Sequence, residues 1–305
     1  MTTNPSTPSN YPFPITRESV CCALCGSNET RLRYQIPLQT RLLSSLWYRG
    51  EQIQLDEIAT VVRCQRCGLQ YVNPRWVVDG AVTSYSDGME QAYFARTYTR
   101  RYQTYQHFVA KLPDWLGRPV HSLLDIGCGD GVLLEAAHTA EIAATGTEFS
   151  ARLRQLLHEK HNGQIAVVDT PAALPSHAFD VITLINVIEH VAAPQELLAD
   201  LAAKLAPGGV LFIHTPNADG LPAHLQGARW SQIEPLGHLY YFSAQTLGAM
   251  LQKTGFEPMG RFHLAVSGRF RGALQEMLGW MGIYLDNGLG MVARRKAQQQ
   301  ERLGS

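Results

Sequence analysis

The chain has 305 residues, 45% of them hydrophobic and 17% charged, enough apolar material for a full α/β core with a small accessory module beside it. Its 26 basic and 26 acidic side chains cancel, so no global field draws it toward nucleic acid or an anionic membrane, and a small-molecule ligand is expected instead. No run reaches the roughly 20 apolar residues of a bilayer span, and the N-terminus lacks the basic-then-apolar order of a secretory signal, so a cytoplasmic location is expected.

Residues 1–16, rich in Pro, Ser, Thr and Asn, read as a disordered leader. Residues 17–74 hold five of the six cysteines, and a reducing compartment argues against a disulfide framework for them. Two pairs stand out: Cys22-Ala-Leu-Cys25-Gly and Cys64-Gln-Arg-Cys67-Gly. Each C-x-x-C turn puts two thiolates on one side, and the following glycine relieves the tight backbone. Two such turns complete a tetrahedral four-thiolate zinc site, which is closed to water and so structural. A redox pair has the same local form, and packed free thiols are the plain alternative; the absence of a thioredoxin-like βαβ pattern here favours zinc. Cys21 reads as a bystander that could replace Cys22 only through a wider turn.

Residues 75–117 are polar and aromatic and read as a helical bridge, with Tyr93, Phe94, Tyr98, Tyr102 and Tyr105 as a stripe that packs on the larger domain. From 118 to 296 the texture becomes apolar runs (HSLLDIG, IAATGTE, QIAVVD, DVITLIN, GVLFIHT) separated by amphipathic segments, the pattern of a parallel sheet covered by helices. Helices are expected near 133–140, 151–160, 195–205 and 244–254, and further strands near 256–265 and 288–294. Residues 297–305 read as a frayed tail.

The run Leu124-Asp125-Ile126-Gly127-Cys128-Gly129-Asp130-Gly131 carries an apolar strand into a glycine-rich turn and then a helix, a geometry that lets a nucleoside lie against bare backbone. A dinucleotide fingerprint would place its third glycine one residue later, where Val132 stands, so no pyrophosphate cradle is implied. Seventeen residues beyond Gly131 the second strand ends at Glu148, whose carboxylate can accept hydrogen bonds from two ribose hydroxyls. A tight strand-to-helix connection without a ligand is the alternative.

In order along the chain, LLDIGCGDG, TGTEFS, VVDT, FDVITLINVIEHVAAP and LAPGGVLFIHTPN resemble the class I S-adenosylmethionine (AdoMet)-dependent methyltransferases. The resemblance implies a Rossmann-like, doubly wound, mostly parallel seven-stranded sheet with a small N-terminal zinc ribbon. It implies that Asp125, Gly127, Gly129 and Gly131 line the methionine and ribose of AdoMet, that Glu148 holds the ribose, that Asp169 and Thr170 approach the adenine, and that Asn186 lies near the transferred methyl. Cys128 reads as a packing residue. The front segment, with Cys67-Gly-Leu-x-Tyr-x-Asn-Pro, is similar to the zinc-binding leader of a subgroup that includes sugar C-methyltransferases.

Methyl transfer from a sulfonium needs an aligned nucleophile and timely loss of its proton, for which histidine is the usual base near neutral pH. His190, in Ile-Glu-His-Val, and His238, in Glu-Pro-Leu-Gly-His-Leu-Tyr-Tyr-Phe, are the candidates. His238 matches the histidine of the sugar-methylating subgroup, whose partner tyrosine and glutamate are Pro235 and Gly237 here; His190 has a structural reading as well. The long connection 217–237, with His224 and Trp230, reads as a lid. The expected reaction is methylation of a small acceptor such as a sugar, natural product or other metabolite. RNA methylation is the other enzymatic reading, from Arg31, Arg33, Arg41 and Arg49 between the cysteine pairs. A non-catalytic interaction subunit is the third, against which the intact glycine turn and Glu148 speak.

Overall fold

The computed structural model describes residues 15–40, 45–48, 51–55, 57–78, 82–83, 87–264 and 287–296. Most of the expected leader, the tail, Arg41 and Arg49 lie outside the described residues.

The N-terminal part is all β: β1 Ile15–Glu18, β2 Thr30–Pro37, β3 Ser45–Tyr48, β4 Glu51–Gln54, β5 Ile58–Cys64, β6 Gln70–Val72, β7 Arg75–Val78 and β8 Val82–Thr83. β2, β5 and β6 form an antiparallel sheet, β7 pairs with β1, and β3 joins β4 and β8. Helix was expected from residue 75 onward, but Arg75-Trp-Val-Val is a strand opposite Ile15–Glu18. Its aromatic and β-branched side chains favour a pleated surface. Helix begins at α1 Asp87–Ala110 and continues after a break as α2 Leu112–Leu116, which has Pro113 in its first turn and ends at Gly117 in the left-handed conformation (φ 74°).

The larger part alternates strand and helix: β9 Ser122–Ile126, α3 Val132–Thr139, β10 Ala143–Thr147, α4 Ala151–Lys160, β11 Ala166–Val168, β12 Phe179–Ile185, α5 Pro194–Lys204 and β13 Leu205–Pro216. There follow α6 Leu221–Gln226, β14 Tyr240–Tyr241, α7 Ala244–Lys253, β15 Phe256–Phe262 and β16 Gly288–Arg295. The sheet order is β11-β10-β9-β12-β13-β16-β15, parallel through β13, with β16 antiparallel to both neighbours. Every residue of β12 from Phe179 to Leu184 is buried, as expected of a strand covered on both faces. The order reverses between β9 and β12, and that is where a doubly wound sheet opens a crevice at its carboxyl ends.

The aromatic stripe of α1 packs on α3: the Tyr98 hydroxyl donates to Glu135 Oε2 at 2.6 Å, Tyr102 pairs with Thr139 at 3.1 Å, and the Tyr98 and Tyr102 rings stack. The connection 217–237, read from sequence as a lid, is partly packed. It holds α6 and a 3₁₀ turn, and it drives Trp230 (2% exposed) and Ile233 into a core with Ile36, Val61, Val72 and Tyr241 of the N-terminal part and β14. Trp230 Nε1 donates to Asn287 Oδ1 at 2.9 Å. His224 stays exposed on α6.

The two parts share a core and a sheet. Tyr240 and Tyr241 of β14 pair antiparallel with Tyr71 and Gln70 of β6, so a strand from the large part closes the edge of the N-terminal sheet. Leu24 and Leu69 join the cluster that contains Ile126 and Leu184. Lys253 Nζ, at the end of α7, donates to the Leu24 carbonyl at 2.8 Å.

Candidate active site and four-cysteine centre

β9 delivers Asp125 to the crevice, buried and accepting from Thr183 Oγ1 of β12 at 2.6 Å. Burial pushes its carboxyl up to about 7; the Thr183 bond pulls the other way, and the charge of Glu148 adds to the rise. Gly127, Gly129 and Gly131 all have positive φ. A Cβ at Gly127 would lie 2.7 Å from Val187, and one at Gly131 would lie 2.6 Å from Leu157, so the turn admits neither side chain. Cys128 is buried with Sγ against Gly146, and burial raises its thiol, consistent with packing and not with a nucleophile.

Arg101 of α1, which the sequence reading did not single out, clamps this turn. Its guanidinium holds Asp130 through two hydrogen bonds of 2.6 Å, donates to the Phe94 carbonyl and lies over the Phe94 ring. Phe94 in turn faces Gly129. The signal available was Asp130, an acid inside the glycine turn, but nothing in the spacing pointed to Arg101.

Glu148 stands at the end of β10 and accepts from Gly129 N at 3.0 Å through Oε2 and from Ser150 N at 2.8 Å through Oε1. It therefore ties the second strand to the glycine turn, and each oxygen keeps lone-pair capacity for a hydroxyl donor. Asp169 is exposed just beyond β11, and Thr170 caps the following 3₁₀ turn by accepting from Ala172 N at 3.3 Å. Asn186, one residue past β12, takes a left-handed conformation (φ 56°); its amide pairs with His214 at 3.1 Å and its backbone N–H donates to the His214 carbonyl.

His190 and His238, 48 positions apart in sequence, are brought ring to ring at 4.7 Å, edge to face. His190 Nδ1 donates to the Gly237 carbonyl at 2.9 Å and His238 Nδ1 to the Gln232 carbonyl at 2.8 Å. A carbonyl oxygen only accepts, so both rings carry the Nδ1 proton and keep a lone pair on Nε2. Burial, with the neighbouring His190, lowers His238 to about 4, and burial likewise lowers His190 although its backbone bond opposes this. Beside them lies Glu189, which sequence reasoning missed because a charged residue beside a histidine gives no sign of burial. Its Oε2 accepts from Thr215 Oγ1 at 2.9 Å, and its backbone carbonyl accepts from Leu239 and Tyr240 N–H, fastening the strand β14 to the end of β12.

The four cysteines expected to bind metal converge. Cys22 and Cys67 Sγ are 3.4 Å apart, Cys25 and Cys64 Sγ 3.5 Å, and all four lie within 4.8 Å of one another. Thiolates around a tetrahedral zinc bonded at about 2.3 Å stand about 3.8 Å apart, so this spacing fits. The two turns are built alike: Gly26 N donates to Cys22 O and Cys22 N to Ser27 O, as Gly68 N does to Cys64 O and Cys64 N to Leu69 O. Burial pushes the Cys64 thiol up, but N–H bonds from Cys67 and Arg66 bring it down to about 7. Cys21 is exposed and outside the group.

Residues 96–259 match the family model described as a methyltransferase domain. The ubiquinone biosynthesis O-methyltransferase of Citrobacter koseri is 33% identical over 105 residues, 32% of this chain and 43% of that protein. The enzyme of the same name from Histophilus somni is 36% identical over 106 residues, covering 31% and 44%. The matched region spans under half the length of these curated relatives. Among solved structures, a chain of the Haloferax volcanii complex between the Trm112 methyltransferase activator and a methyltransferase superposes with TM-score 0.52 at 17% identity, over 70% of this chain and 97% of that one. The plantazolicin methyltransferase BpumL, solved with S-adenosylhomocysteine, superposes with TM-score 0.51 at 19% identity, over 69% and 90%. At such identities these two speak for the fold alone. With the strand order, the glycine turn and the family match in agreement, the chain belongs to the methyltransferase-domain family and carries a class I, AdoMet-dependent domain of Rossmann-like fold.

Proposed function

We propose that the chain transfers the methyl group of AdoMet to a hydroxyl of a small acceptor. The observation that carries this is the crevice at the sheet's reversal point, where the left-handed glycine turn, buried Asp125 and Glu148 meet. Asp125 would face the cationic methionine end, Glu148 the ribose hydroxyls, Asp169 and Thr170 the adenine, and Asn186 the methyl side. The O-methyltransferase names of the relatives support oxygen as the acceptor atom. In the reaction an acceptor oxygen attacks the methyl carbon in line, the C–S bond breaks with its electron pair left on sulfur, and the hydroxyl proton passes to water.

His238, held neutral, is a weak base at pH 7, so it fits the placing of an acceptor better than removal of its proton. Cys22, Cys25, Cys64 and Cys67 would hold one zinc, which supplies a closed cross-link and no chemistry. Its use is positional: β6, just after the second cysteine turn, pairs with β14, and β14 begins two residues after His238.

The test is turnover measured as S-adenosylhomocysteine release against a panel of hydroxylated metabolites, with AdoMet affinity measured in parallel. AdoMet-dependent product with one acceptor class supports the reading. A protein that folds but binds no AdoMet contradicts it.

A further inference from the structure

Glu189 is a costly residue to place where it is. Its side chain is 1% exposed, and while Thr215 satisfies Oε2, Oε1 has no hydrogen-bond partner. A buried carboxylate oxygen without a partner loses its hydration for nothing in return, so the fold is expected to supply a counter-charge there. What faces it is a pair of imidazoles. His190 Nε2 lies 3.9 Å from Glu189 Oε1, and one ligating atom from each of Glu189, His190 and His238 lies within 4.8 Å of the other two.

The orientation of the rings is set from outside. Each Nδ1 proton is committed to a backbone carbonyl, Gly237 for His190 and Gln232 for His238. The outer nitrogen bonded to a carbonyl and the inner one bearing a lone pair is the arrangement that holds a histidine ready for a cation. Thr215 does the same for the carboxylate.

We infer that Glu189, His190 and His238 form a second metal site, for one divalent first-row transition ion, distinct from the four-cysteine centre. Two imidazoles and a carboxylate suit such an ion at about 2.0–2.2 Å per bond, and ligand atoms around it stand about 3 to 3.5 Å apart, so the side chains close by about an ångström. Three protein ligands leave at least one position open, the mark of a reactive and not a structural site. The cluster lies past the carboxyl end of β12, on the side of the sheet where the glycine turn opens. Resting on the methyl-transfer reading above, the occupant of the open position is the acceptor itself, through a hydroxyl or a pair of adjacent hydroxyls. The ion lowers the pKa of that hydroxyl, the proton leaves to water, and the oxygen takes the methyl while the C–S electron pair stays on sulfur.

The experiment uses the full-length protein, cleared of loosely held ions by a mild chelator and titrated with cobalt(II) under visible absorption. One equivalent is expected with weak d–d bands and no thiolate charge-transfer band, and its affinity should fall about a hundredfold or more in Glu189→Gln and in His238→Gln. Wild-type protein that takes cobalt only with a thiolate band, or not at all, overturns the inference, as does an unchanged spectrum in folded variants. Calorimetry with S-adenosylhomocysteine on the same samples separates the two readings. S-Adenosylhomocysteine bound without the second ion removes the metal site alone, whereas failure to bind S-adenosylhomocysteine removes the methyl-transfer reading.

Discussion

Asp125 and Glu148 differ in what surrounds them, and that difference gives each its own prediction. Asp125 is enclosed and titrates near 7, so in the free protein it is largely protonated at pH 6 and largely ionised at pH 8. A cationic cofactor selects the ionised form. Affinity for AdoMet should therefore drop by up to about tenfold for each unit below pH 7, with proton release on binding appearing as buffer-dependent heat. Asp125→Asn should bind more weakly and without that pH dependence, as calorimetry in two buffers would show. Glu148 is already engaged by two backbone N–H groups, so Glu148→Ala removes ribose acceptors and loosens the Gly129 turn together. With hydrogen bonds to a charged group at roughly 1.5 to 3 kcal/mol each, affinity should fall at least about tenfold, and unchanged binding would mean the ribose is held elsewhere. At this scale the sequence was informative where chemistry and spacing coincide: glycines with positive φ, an acid at a strand end, paired cysteines. It was silent on Glu189, Thr183 and Arg101, whose importance comes from contacts 26 to 58 residues away that no local pattern encodes.

Helix α1 is the element whose role the sequence left open. Its aromatic stripe showed that it packs, but the bidentate contact of Arg101 with Asp130 also fastens it to the glycine turn. Arg101→Ala should lower stability by about 1 to 3 kcal/mol, seen in chemical denaturation, and weaken AdoMet binding by freeing the glycine turn. Arg101→Lys should recover only part, because an ammonium cannot form the fork. The parallel strands were legible because strands buried on both faces read as continuous apolar runs, and α4 and α7 as the amphipathic segments between them, which the structure shows capped by Ser150 and Ser243. β14 was not legible. It is two residues long and exists only by pairing with Gln70 and Tyr71, far earlier in the chain. What the segment 217–237 packs against was not legible for the same reason, since the core that Trp230 enters is formed by distant strands.

At the scale of the molecule, the N-terminal sheet and the methyltransferase domain form one structure. The cysteine turns, β5, β6 and β14 make a continuous path that ends at His238, so an ion held by the four thiolates would bear on the geometry around that histidine. If the thiolates hold an ion, stripping it, or replacing Cys64 with Ser, should lower the melting temperature and turnover, while affinity for S-adenosylhomocysteine in the crevice between β9 and β12 changes little. Equal loss of both would show that the module supports the whole fold and has no special bearing on the acceptor side. Binding of AdoMet in the crevice between β9 and β12 is measured by calorimetric titration of the intact protein. One AdoMet per chain is expected, with affinity at least about tenfold weaker in Glu148→Ala. No binding by the folded wild-type protein, or the same affinity in the variant, would contradict it.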